Sequence, residues 1–150
     1  MVEKAYAKFH GCYETLISGF IDDALNDLSG LVAEKIRTHN DQGVFPHKNI
    51  GDKEKFWEFL KERRAERCMM GCSVNGDVER EVIIDGFRTG IMTGHAYGIL
   101  DIFELSDPNM ANPRKTHRLL RIRNPWGKME WKGKWSDDSD ELKNGYHLFE

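Results

Sequence analysis

An α+β domain, with helices first and a mainly antiparallel sheet after them, is the fold class this sequence predicts. Three observations carry it. Apolar residues recur at helical spacing up to about residue 60. From Cys68 onward the apolar runs shorten to strand length and are separated by Gly-containing turn signals. The helical and strand patterns are segregated along the chain, and do not alternate as in a βαβ repeat.

Val2, Ala5, Tyr6, Phe9, Tyr13, Leu16 and Ile17 give the first segment one apolar face. Gly11 interrupts that pattern and Gly19 is its expected stop. Residues 20–36 mix apolar and acidic positions and take no assignment beyond a turn at Ser29-Gly30. Residues 37–51 read as a loop rich in Asn, Gly and Pro. Asp52 is placed to cap the next helix, with Glu54 favourable in its first turn. Phe56, Trp57, Phe59 and Leu60 supply its buried face, and the charged run Lys61–Arg67 is expected to be solvated.

Cys68–Val74 suits a buried strand, followed by a turn at Asn75-Gly76. Val82–Ile84 is a short strand before Asp85-Gly86. The clearest strands are Ala96–Leu105, with Tyr97, Ile99 and Phe103 on one parity, and His117–Arg123, where Leu120 and Ile122 alternate with Arg121 and Arg123. The connection between them carries two prolines and is expected to be exposed. Trp126, Trp131 and Trp135 then crowd into ten residues.

Composition narrows the function classes. The 150 residues carry 22 Lys+Arg against 25 Asp+Glu, a formal net charge of -3. Bulk charge therefore does not favour nucleic acid or an anionic membrane. No apolar run approaches a membrane span, and the N-terminus lacks the apolar stretch of a signal peptide. Three cysteines, Cys12, Cys68 and Cys72, make no disulfide framework, so a reducing, cytoplasmic setting is expected.

The chemistry concentrates in two strings. Gly94-His95-Ala96-Tyr97 opens one strand, and Arg123-Asn124-Pro125-Trp126-Gly127 closes the next. Adjacent antiparallel strands bring such ends together, so His95 and Asn124 are expected to face each other. An imidazole that moves protons needs a partner to fix its tautomer, and an Asn carbonyl serves. Trp126 would shield that contact from water, and Gly94 would let a substrate backbone approach. Such a pair, if the two residues do meet, would be the base-and-orienter half that Cys-His-Asn chemistry needs; an ordinary strand histidine and an ordinary turn asparagine are the alternative that the spacing alone leaves open.

The strings closely resemble the calpain family of calcium-dependent cysteine endopeptidases. The resemblance extends through Lys4-Ala5-Tyr6-Ala7-Lys8, Gly71-Cys72-Ser73, Glu130-Trp131, Gly133 and Trp135-Ser136-Asp137. It implies a papain-like half-domain, the second subdomain of the protease core, with His95 as base and Asn124 as its orienter. It implies protein substrates, limited intracellular proteolysis and calcium bound in the complete core. Glu130 and Asp137 match that family's calcium-binding positions, as part of a site whose other ligands would lie beyond Glu150.

Two departures shape the expectation. The family's Gln-Gly-x-x-Gly-Asp-Cys-Trp nucleophile motif does not occur. None of the three cysteines suits that role, so the Cys-bearing subdomain is the expected partner. The resemblance also implies further strands after the Trp135-Ser136-Asp137 segment to complete this subdomain, so residues 1–150 are expected to form a partial catalytic domain, inactive alone. The alternative is a non-catalytic calpain-like module that binds a partner or calcium. A zinc site built on Cys68 and Cys72 lacks a second ligand cluster at recognised spacing.

Overall fold

The computed structural model describes residues 1–38, 52–106 and 116–145. The chain divides into two compact units, Met1–Asn49 and Ile50–Glu150. The loop expected over 37–51 and the proline-bearing connection fall almost wholly outside the described residues.

In the first unit, α1 spans Val2–His10 and a 3-10 turn spans Tyr13–Leu16. The single helical face expected through Ile17 is not formed, because the backbone turns at Gly11 with φ +103. Its apolar residues are mostly exposed, and Ala7 is the buried residue of α1. Polar contacts hold the unit. Asp27, on α2 (Ile21–Ser29), accepts hydrogen bonds from Tyr6 Oη at 3.0 Å and His10 Nε2 at 2.9 Å. The Ser29-Gly30 turn signal marks the end of α2, where the Gly30 N–H bonds to the Asn26 carbonyl.

The second unit begins with α3, Lys53–Ala65, capped as expected: the Asp52 side chain accepts from the Lys55 N–H at 2.8 Å. A three-stranded antiparallel sheet follows in the order β1 (Met70–Ser73), β4 (Ala96–Ser106), β5 (Thr116–Arg123). Trp57 is buried, and its indole N–H donates to Glu104 on β4. The run after Leu60 is not uniformly solvated. Lys61 also reaches Glu104, and Arg64 pairs with Asp101 at 2.8 Å, so strand carboxylates give this face of α3 its charge partners.

The parity expected for β4 does not persist along the strand. The ladder slips between Ile99 and Asp101, so that Ile102 lies opposite Leu120 and Phe103 opposite Leu119. One inserted residue moves Phe103 off the face of Ile99.

A second sheet pairs β2 (Glu81–Ile84) with β3 (Phe87–Met92). Asp85 and Gly86 both have positive φ and close a two-residue hairpin, the turn that an Asp-Gly dipeptide favours. Glu81 lies nearly inaccessible at the base of this hairpin. Its carboxylate accepts from Lys132 Nζ at 3.0 Å, from Arg88, and from the Gly90 N–H at 2.9 Å. Lys132, then Arg88, lower its pKa from the ordinary 4.5 to about 2.

The sign of the resulting pH dependence is set by that depression. The stabilisation is complete above about 4.5 and is lost as pH falls toward about 2. Glu81→Gln is therefore expected to lower the denaturation midpoint at neutral pH and to flatten its fall between those two values. Urea unfolding across that range checks it, read from the midpoint at unchanged slope.

Candidate active site

His95 sits immediately before β4, and Asn124 immediately after β5. The antiparallel register that puts Gly98 opposite Arg123 brings the two together. His95 Nε2 lies 2.9 Å from Asn124 Oδ1. The imidazole is 6% exposed. Trp126 tilts over it with ring centroids 4.1 Å apart, and Tyr97 meets its edge at 4.9 Å. The Tyr97 hydroxyl accepts from the Met92 N–H at 2.8 Å, which ties this ring to β3.

The orientation of Asn124 follows from its other bonds. Its Nδ2 donates to the Lys128 carbonyl at 2.7 Å and to that of Met129 at 3.3 Å. Its Oδ1 accepts from the Trp126 N–H at 3.0 Å. Rotating the amide by half a turn would set donor against donor and oxygen against carbonyl. With Oδ1 thus fixed toward His95, Nε2 must be the N–H that donates. In a neutral imidazole, Nδ1 is then the free base nitrogen.

Pro125 and Trp126 form the central residues of the turn that presents these groups, closed by Gly127 N–H to Asn124 C=O at 3.3 Å. Proline at the second turn position fixes its φ, and glycine at the fourth suits the exit. Gly94 has φ +61, and its N–H donates to the Val74 carbonyl at 2.8 Å. A Cβ there would come within 3.0 Å of the Gly76 carbonyl, so Gly94 also has a requirement internal to the fold.

The group facing Nδ1 is one the sequence pattern did not mark. Glu79 Oε1 lies 3.5 Å from His95 Nδ1. Among the described residues no cysteine hydrogen-bonds to His95. Cys72 pairs with Tyr97 across the ladder, and burial pushes its thiol pKa up, away from thiolate character. Cys68 is exposed and contacts Glu66, and Cys12 is exposed in the first unit.

Glu130 and Asp137 are both exposed. No group of three or more His, Cys, Asp or Glu among the described residues is placed to hold a metal ion. Calcium takes six to eight oxygen ligands, so two carboxylates alone do not complete a calcium site. No helix among the described residues is long and apolar enough to cross a membrane.

A buried imidazole held by an asparagine carbonyl beneath a tryptophan is the base-and-orienter arrangement that thiol peptidases use. The family described as calpain family cysteine protease matches residues 1–145, and the chain belongs to that family. It is 35% identical over 155 aligned residues to calpain-5 of Caenorhabditis elegans, covering 96% of this chain and 23% of that protein. It is 37% identical over 142 residues to the calpain-type cysteine protease DEK1 of Arabidopsis thaliana, covering 94% and 6% respectively. Human calpain-9 is 34% identical over 146 residues, covering 96% and 18%. The chain thus spans less than a quarter of the length of each of these relatives.

Proposed function

We propose that residues 1–150 are the His- and Asn-bearing part of a calpain-type cysteine endopeptidase, catalytic only beside a Cys-bearing subdomain. The 2.9 Å contact from His95 Nε2 to Asn124 Oδ1 carries the reading. Asn124 holds the Nε2 proton, so Nδ1 is the atom that takes the proton of an incoming thiol. The thiolate attacks the peptide carbonyl, and the imidazolium returns the proton to the leaving amine. Trp126 keeps the Asn124 contact dry, and Gly94 lets an extended substrate backbone approach. Protein substrates, limited proteolysis and a cytoplasmic setting enter this reading through the family. So does calcium, as a property of the whole protease, to which Glu130 and Asp137 would contribute part of a ligand set.

The purified chain is expected to show no turnover of a fluorogenic peptide, because the family's nucleophile motif does not occur in it. Turnover that disappears in His95→Ala would overturn the proposal, since it would place a working nucleophile within these residues.

A further inference from the structure

Whereas Asn124 holds the Nε2 edge of His95, Glu79 faces its Nδ1 edge. Its carboxylate is half exposed, whereas the imidazole it faces is 6% exposed, and 3.5 Å separates Oε1 from Nδ1. The approach is built by the loop that bears Glu79. Thr93, two residues before His95, donates its hydroxyl to the Val78 carbonyl at 2.6 Å and accepts from the Arg80 N–H at 3.2 Å. The Thr93 N–H also donates to the Arg80 carbonyl at 2.9 Å. Both peptide neighbours of Glu79 are thus fastened to one residue, and Gly76 packs on the same Thr93 side chain. The clamp fixes where the Glu79 carboxylate can reach.

We propose that Glu79 is a guard on the base nitrogen, a positioning residue that occupies the approach to His95 Nδ1 and must swing aside before a thiol can take that place. The proposal rests on the reading that Nδ1 is the base atom. Two physical effects add. The carboxylate fills the space a sulfur would need, and its negative charge opposes formation of a thiolate a few ångströms away. When His95 carries both protons, its Nδ1–H faces Glu79 and the guarded arrangement is favoured. Release requires only that the half-exposed side chain rotate toward solvent, with the Thr93 clamp intact.

Diethyl pyrocarbonate reports access to a free imidazole nitrogen, and peptide mass spectrometry resolves which histidine of the 150-residue chain has reacted. Glu79→Ala is expected to raise the rate at His95 by about fivefold, as the fraction of open molecules grows, with His10 and His117 unchanged. An unchanged His95 rate in a folded Glu79→Ala chain overturns the guard. If Glu79→Ala raises all three rates together, the fold has loosened, and Thr93→Val decides. That variant keeps Glu79 and the side-chain shape but removes the hydroxyl of the clamp. It is expected to raise the His95 rate alone, with Thr93→Ser holding the wild-type rate, and no rise in Thr93→Val overturns the proposal. These readouts measure access and not peptidase chemistry. Failure here leaves the base assignment standing, whereas an active His95→Ala peptidase would remove that assignment itself.

Discussion

Asn124→Ala, in a protein that joins this chain to a Cys-bearing half, is expected to lower kcat by about 10²–10⁴-fold with little change in KM, the scale on which a positioned general base contributes. The loss has two parts. Removing Oδ1 frees His95 to exchange tautomers, so a fraction of molecules presents Nδ1–H to the thiol and cannot accept its proton. Removing Nδ2 also frees the Lys128 and Met129 carbonyls, so the turn that seats Trp126 over the imidazole loses its anchor. Asn124→Asp separates the two, because a carboxylate still accepts from Nε2 but cannot donate to those carbonyls. It is expected to recover part of the rate. Steady-state kinetics of the three proteins side by side checks this, and equal kcat in all three would remove Asn124 from the mechanism.

Gly90→Ala is expected to give the largest loss of stability among single substitutions near the site. Gly90 has φ +81, and a Cβ there would lie 1.8 Å from the Glu130 carbonyl oxygen. Left-handed strain and overpacking each cost about 1–3 kcal/mol, so a loss of about 3 kcal/mol or more is expected. The neighbouring atom is backbone, so no rotamer change relieves the clash. The Glu130 segment has to retreat, and with it the Lys132 N–H that bonds to the Thr89 carbonyl at 3.0 Å. Met129, one residue earlier, is an acceptor for Asn124. The same substitution therefore loosens the His95 orienter from a distance. Chemical denaturation of Gly90→Ala measures the first effect. Gly90→Ala at wild-type stability would show that the hairpin and the Glu130 segment move independently.

The site was more legible in this sequence than the scaffold around it. His95 and Asn124 stand at the ends of two strands with clean alternation, and antiparallel pairing alone predicts their meeting. Asp52 was legible for a similar reason, since capping is local chemistry. β3 was not, although the Asp85-Gly86 dipeptide signals a two-residue hairpin. Thr89 and Gly90 interrupt the alternation of Phe87–Met92, because one is buried for its hydroxyl and the other admits a crossing backbone. The helical face through Ile17 failed where apolar spacing outvoted a glycine at φ +103. Phe103 changed faces because a bulge leaves no mark in a hydrophobic pattern. Lys61 and Arg64 looked solvated because their partners, Glu104 and Asp101, lie about 40 residues away in sequence. Glu79 carried no signal for the same reason: an acidic residue in a polar turn becomes noteworthy only when the fold sets it against an imidazole.

The proposed role of His95 depends on which of its nitrogens carries the proton. Two groups compete for that choice. Asn124 offers an oxygen at 2.9 Å whose orientation three further bonds enforce, and Glu79 offers a carboxylate at 3.5 Å from a half-exposed side chain. The shorter, buried contact should win, since a hydrogen bond weakens with distance and solvent exposure. Long-range ¹H–¹⁵N correlation of the imidazole ring distinguishes the two tautomers directly. In the neutral imidazole of the purified chain, His95 is expected to carry its proton on Nε2 and to leave Nδ1 bare. A mixture of tautomers is expected in Asn124→Ala. A wild-type His95 protonated on Nδ1 and bare at Nε2 would contradict the proposed role, because the nitrogen assigned to the thiol would then have no lone pair to offer.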